Sequence, residues 1–169
     1  HFAAPCDELK GIQNAILRRF LVQIPVHFAR HGGVTGSSIQ SNAGRHAGFA
    51  KAVFAVDLIN AFPSVLRSRV HANLRKPFTY RLRQFGGNPF PDDDIEAMLT
   101  ALVDLLCWRD RLPQGPPTSP KILEIVCNKL DIAIFHLCDA SSTPFQSFRY
   151  TAYADNLTIS SDGEITDEM

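Results

Sequence analysis

The 169-residue sequence lacks any apolar run near the ~20 residues that a membrane-spanning helix needs, and no charged-then-apolar signal segment opens it. It has one tryptophan, and its four cysteines, Cys6, Cys107, Cys127 and Cys138, include no CxxC pair of the kind used for metal or redox chemistry. Three of the four fall in apolar helical patterns, where a thiol behaves as a small hydrophobe. Repeats, low-complexity tracts and clear linkers are also missing. With 45% hydrophobic and 20% charged residues, the chain has the composition of an ordinary folded domain, which excludes disordered and collagen-like classes. A chain of this length buries roughly 70% of its unfolded surface, so no disulfide or metal staple is required. The expectation is a soluble, intracellular (cytoplasmic) protein with no membrane partner.

Net charge is lacking too, but only in sum. Residues 1–83 hold 12 basic and 3 acidic side chains, a net of +9, and residues 84–169 hold 5 basic and 14 acidic ones, a net of −9. A basic half suits a phosphate backbone through counterion release, with Arg18, Arg19, Arg45, Arg67, Arg69 and Arg75 expected partly on one face. The competing reading is two faces that pair within one fold.

Hydropathy patterning gives an α+β chain. Asp7 and Glu8 precede Leu9, Ile12, Ile16 and Phe20, which are spaced for a helix. Ser37 and Ser38 suit the cap of a second helix running through Asn42 and His46. Lys51 to Asp57 is short, β-branched and aromatic, and is expected as a buried strand ending on a carboxylate. The run Asp92, Asp93, Asp94 opens a helix whose apolar residues, from Ile95 to Cys107, recur at helical spacing; this run reads as a cap favouring the helix dipole rather than as a metal cluster. Pro120 starts another helix, carrying Ile122 to Leu137. Phe148 to Tyr153 and Leu157 to Ser160 are expected as strands of a hairpin joined at Asp155-Asn156.

Asp57 and Asp155 both stand where a strand meets solvent. Taken singly, each reads as a turn or cap residue; from neighbouring strands of one sheet, the two would bridge a pair of Mg²⁺ ions. The loop His31 to Ser38 is glycine-rich but lacks the lysine of a phosphate loop and follows no strand, so it reads as a helix entry. His46, with no nucleophile beside it, reads as a structural histidine.

Three segments in order carry a resemblance: Asp57-Leu58-Ile59-Asn60-Ala61-Phe62-Pro63-Ser64-Val65, Leu112 to Pro120 (LPQGPPTSP), and Tyr153-Ala154-Asp155-Asn156. They resemble successive motifs of reverse transcriptases, and Ser38 to His46, with Leu9-Lys10 and Gln13 upstream, is similar to the bacterial retron branch, with group II intron enzymes as cousins.

The resemblance implies a right-hand polymerase palm, a small antiparallel sheet backed by helices, over residues 51–169. Residues 1–50 would be partial fingers, further fingers elements would be inserted around 75–95, and the thumb would be absent. It implies RNA-directed DNA polymerase activity, with dNTP added to a DNA or RNA primer on an RNA template. Asp57 and Asp155 would ligate two Mg²⁺ ions, or Mn²⁺ in their place, and Asn156 would stand in the catalytic set where the family has a second aspartate. Leu58, Phe62, Gln114 and Gly115 would line the nucleotide pocket, with Phe62 as the gate that excludes a 2′-hydroxyl. Ser38, Asn42, His46, Pro120 and Tyr153 would make weaker nucleic-acid contacts. Asn156, with Ala61 and Ala152 as further departures, implies weakened or absent catalysis; the alternative is an inactive palm retained to bind nucleic acid or a partner protein.

Overall fold

The computed structural model describes residues 4–85 and 90–163, the side chain of Phe85 excepted. The architecture is α+β, and the chain divides into two compact units, His1–Ile24 with Asn60–Val126, and Pro25–Ile59 with Cys127–Met169. No helix among the described residues is long and apolar enough to cross a membrane.

The first unit is helical. It holds α1 (Asp7–Arg19), a 3-10 turn (Leu21–Gln23), α3 (Ala61–Ser64), α4 (Arg67–Phe85), α5 (Asp92–Leu106) and the first turns of α6 (Ser119–Ser141). Ile95, Leu99, Val103 and Leu106 form one buried stripe along α5, as their spacing predicts, and Val70 and Leu74 of α4 are likewise buried. The three aspartates of α5 lie in its first turn, but the cap position is Pro91 and no side chain caps it, so they favour the helix dipole without acting as a cap. At the other end, the buried Gln13 of α1 donates from Nε2 to the Leu105 carbonyl at 2.8 Å, satisfying one of the acceptors that every helix end leaves open.

Charge in this unit pairs across neighbouring helices. Arg67 of α4 donates to Asp104 of α5 at 2.8 Å, Arg75 and His71 meet Glu96, and Arg83 meets Asp92. Here the basic first half and acidic second half neutralise each other inside one unit. Arg67 and Arg75, expected on a nucleic-acid face, are both engaged in this way.

The second unit holds α2 (Ile39–Gly44), β1 (Ala52–Asp57), the rest of α6, β2 (Phe148–Tyr153) and β3 (Asn156–Ser161). The sheet is antiparallel, in the order β1-β3-β2. Tyr150, Ala152 and Leu157 turn one face toward Cys138 and Ile134 of α6, with Leu58, Phe135, Phe148 and Ile159 packed around them. Ser38 caps α2 through a reciprocal box with Ser41, and the helix stops at Gly44, so His46 lies in the turn beyond it rather than in the helix.

Two expectations need correcting. β1 starts at Ala52, one residue later than expected, and is not buried: Val53 and Phe54 are 58% and 57% exposed, because β1 is an edge strand with a neighbour on one side only. An apolar, β-branched run favours a strand, whereas burial requires a layer over it. The hairpin turn is Ala154-Asp155, one residue earlier than expected, so that Asn156 pairs with Tyr153 as the first residue of β3. Ala154 has φ of 52°, the left-handed conformation that a two-residue hairpin demands and that glycine usually supplies.

Candidate active site

The end of the sheet is built by register. Asp57, the last residue of β1, pairs with Asn156, the first of β3, and directly paired residues of an antiparallel ladder project to the same face. One residue further, the Leu58 N–H donates to the Asp155 carbonyl at 3.0 Å, so the turn and the end of β1 are joined through backbone. Asn156 Nδ2 approaches Asp155 Oδ1 at 3.5 Å. Asp57 and Asn156 are exposed and Asp155 half-buried. The donor set is oxygen throughout, two carboxylates and a carboxamide, which is the hard chemistry that Mg²⁺ and Mn²⁺ take. Among the described residues no three His, Cys, Asp or Glu side chains gather as a ready-made metal cage. Two carboxylates still fit Mg²⁺, which keeps several waters and takes substrate phosphate oxygens as further ligands.

The turn has a buried scaffold that no local pattern in the sequence announces. Arg30 pairs with Asp131 of α6 through two hydrogen bonds, from Nε to Oδ2 at 2.7 Å and from Nη2 to Oδ1 at 2.8 Å, and both side chains are fully buried. Tyr150 Oη donates to Asp131 Oδ1 at 2.6 Å. Burial alone would lower the Arg30 pKa, but the hydrogen bonds and charge of Asp131 outweigh it and hold the guanidinium above its ordinary value. Burial, then the hydrogen bond to Asp131, pushes the Tyr150 phenol well up, so it stays a donor. The one legible hint was an acid at position 131, interrupting the apolar face of α6 marked by Cys127, Ile134 and Cys138.

His46 forms a second buried clamp, on the opposite face of the sheet. Its Nδ1 lies 2.6 Å from Ser160 Oγ on β3 and its Nε2 2.7 Å from Thr151 Oγ1 on β2. Burial, followed by the charge of Arg149 and by His31, lowers its pKa, so the neutral ring is favoured. Both ring nitrogens are occupied inside the protein, in keeping with a structural histidine and leaving neither for a phosphate. His31 bonds Ser41 Oγ through Nδ1 at 2.8 Å, and burial followed by Arg45 lowers its pKa.

In the sheet unit, Ser38 is engaged as the cap of α2, Asn42 lies within that helix with its Oδ1 buried and unpaired, and Tyr153 is half-buried at the end of β2. Leu58 packs against the sheet's apolar cluster. Phe62, Gln114, Gly115 and Pro120 belong to the helical unit. There Phe62 is half-buried on α3, Gln114 and Pro120 are exposed, and Gly115 has φ of 127°, a conformation that an L side chain resists. The glycine-rich loop from His31 leads into the capped start of α2, as expected of a helix entry.

No protein-family model matches the chain. It is similar to the Retron Mx162 reverse transcriptase of Myxococcus xanthus, 38% identical over 161 residues that make up 93% of this chain and 32% of that protein. It is also similar to the Retron Ec86 reverse transcriptase of Escherichia coli, 31% identical over 92% of this chain and 42% of the relative. The Retron Mx65 reverse transcriptase of Myxococcus xanthus is 31% identical over 94% of the chain and 36% of its own length. The chain thus spans less than half the length of these curated relatives. Carrying the three ordered motifs and aligning with several retron reverse transcriptases over more than nine-tenths of its length, the chain is a retron reverse transcriptase-like segment.

Proposed function

We propose that this chain forms the catalytic region of an RNA-directed DNA polymerase, in which dNTPs are joined to a primer 3′-hydroxyl on an RNA template. The observation that carries this reading is the register of β1 on β3, which sets Asp57 opposite Asn156 and ties Leu58 to Asp155. Residues 51–169 would be the palm of a right-hand polymerase, with fingers elements from residues 1–50 and around 75–95.

Asp57 and Asp155 would hold two Mg²⁺ ions, for which Mn²⁺ would substitute; such ions activate a hydroxyl and neutralise charge on a phosphate undergoing in-line displacement. The rest falls to the chain itself. Asp57 and Asp155 project hard oxygen ligands from a strand end and a tight turn, and Asn156 adds an acceptor of similar shape without charge. Phe62 would stand against the sugar and exclude a 2′-hydroxyl, while Gln114, the Gly115 backbone and Leu58 would line the nucleotide pocket. Ser38, Asn42, Pro120 and Tyr153 would make secondary contacts to template and primer, with His46 acting through the packing of the sheet.

Asn156 favours a second reading, a palm that binds nucleic acid or a partner protein without catalysis, because the missing charge lies opposite Asp57. The two readings separate in one experiment, with this chain seated in place of the matching segment of a full-length retron reverse transcriptase. The polymerase reading predicts incorporation of dNTP on an RNA template in Mg²⁺ and none in chelator. Primer-template binding that persists in chelator, with no incorporation in either Mg²⁺ or Mn²⁺, would establish the binding reading.

A further inference from the structure

The left-handed Ala154 has no glycine's freedom, so something must hold the turn that presents Asp155. On its outer side, β2 is paired by a short strap: Ala152 N–H donates to the Ala29 carbonyl and His31 N–H to the Ala152 carbonyl, both at 2.8 Å. Between these two bonds sits Arg30. Its guanidinium is locked to Asp131 by Nε and Nη2, which leaves Nη1 aimed at the turn, where it donates to the Ala154 carbonyl at 2.6 Å. Two residues along, Gly32 lies so close to the Ala154 backbone nitrogen that a Cβ at position 32 would strike it.

From these contacts we infer that Arg30 is a positioning residue for the metal-binding turn, acting as a buried tether that fixes Asp155 through the Ala154 carbonyl. Asp131 and Tyr150 orient it, and Gly32 lets the strap approach. This rests on the polymerase reading in that Asp155 is taken as a metal ligand. The fully buried fork explains why arginine is needed. A planar guanidinium makes the two-pronged bond to a carboxylate and keeps a third donor at a fixed angle, whereas a lysine head offers no such fork. The two ends of the sheet should therefore differ: the Asp57 end is held by a tether, and the Lys51 end by the ladder and its neighbours alone.

Two backbone amides report on this difference. Leu58 N–H bonds the Asp155 carbonyl at one end of β3, and Lys51 N–H bonds the Ser161 carbonyl at the other, at 3.0 and 2.8 Å. Arg30→Lys keeps a cation for Asp131 but loses the fork. In this variant of the intact chain, Leu58 amide exchange should quicken at least tenfold relative to Lys51. Mn²⁺ binding, read by water-proton relaxation enhancement, should weaken at least threefold. Tyr150→Phe removes a donor from the same cluster and leaves the tether, so it should lower the melting temperature without changing the Leu58-to-Lys51 ratio. If Arg30→Lys does not fold, the apolar triple variant Arg30→Met, Asp131→Leu, Tyr150→Phe, which leaves no buried charge unpaired, takes its place and should show the same change in ratio. An unchanged ratio in a folded variant overturns the tether, as does failure of both variants to fold, which would make the cluster a requirement of the fold as a whole. The polymerase reading fails separately: if Asp57→Ala leaves Mn²⁺ relaxation unaltered, the metal site is wrong, while the exchange ratio still decides the role of Arg30.

Discussion

The helical unit and the sheet unit differ in where their arginine–aspartate pairs lie. In the helical unit, Leu99, Val103, Leu106 and Leu112 fill the interior beside buried polar side chains such as Gln13, Lys121 and Glu124, while the charges of α4 and α5 meet in solvent-exposed pairs such as Arg67 with Asp104. In the sheet unit, Arg30, Asp131, Thr151 and Ser160 are buried with His46, and each is joined to another of the set or to Tyr150. Replacing a buried ion pair by well-packed apolar groups is often neutral or stabilising, so a bonded polar interior is weak support for stability as such. What it does supply is a fixed position. The unit with the buried arginine–aspartate pair is also the one that holds both Asp57 and Asp155.

The contrast is sharpest at Asp131. Asp131→Ala leaves the guanidinium of Arg30 buried without a counter-charge and should cost about 3–5 kcal/mol, read from chemical denaturation. A loss below about 1 kcal/mol would place Arg30 with the surface pairs of the helical unit and erase the distinction.

A smaller effect is expected at the histidine clamp. His46→Ala strips partners from Ser160 and Thr151 at buried sites and should cost about 2–3 kcal/mol. His46 and His31 both have pKa values lowered from the ordinary 6.5, with burial the leading cause. The unfolded chain then binds more protons than the folded one between the two pKa values. The stability these rings contribute is complete above about pH 6.5 and is lost as pH falls through that value toward the folded one. His46→Gln, which does not titrate, should flatten the acid side of a stability-pH curve, and an unchanged slope would show that His46 is not among the groups that set it.

The smallest effect belongs to the helical unit. Arg67→Ala should cost no more than about 1 kcal/mol, because its pair with Asp104 lies in solvent, and that cost should shrink further in high salt. A loss as large as that of Asp131→Ala would mean that both units rest on ion pairs.

These features were not equally legible in the sequence. The α5 stripe follows from spacing, and β1 and β2, to within a residue, from their β-branched and aromatic composition, since each signal is local. The sequence points to a hairpin turn one residue late because Asp155-Asn156 looks more like a turn pair than Ala154-Asp155; an alanine in a left-handed turn is held by contacts from elsewhere in the chain. α4 gave no clear helical signal: Pro77 sits inside it and its apolar side chains are sparse, and its buried Val70 and Leu74 become meaningful only against α5. Of the candidate site, Asp57, Asp155 and Asn156 were found by ordered motifs. Arg30 was not, because its partners Asp131 and Ala154 lie 101 and 124 residues away. Exposure of β1 was equally hidden, since an apolar strand sequence is the same whether or not a layer covers it.

The pairing of Asp57 with residue 156 is tested most directly by restoring the missing charge. With the chain in place of the matching segment of a full-length retron reverse transcriptase, Asn156→Asp should raise Mg²⁺-dependent dNTP incorporation at least tenfold, equivalent to about 1.4 kcal/mol of transition-state stabilisation. Asp57→Ala or Asp155→Ala in that background should abolish it. Incorporation that is indifferent to Asp57→Ala, or an Asn156→Asp protein that folds and binds primer-template yet incorporates nothing, would contradict the assignment of this strand end as the catalytic centre.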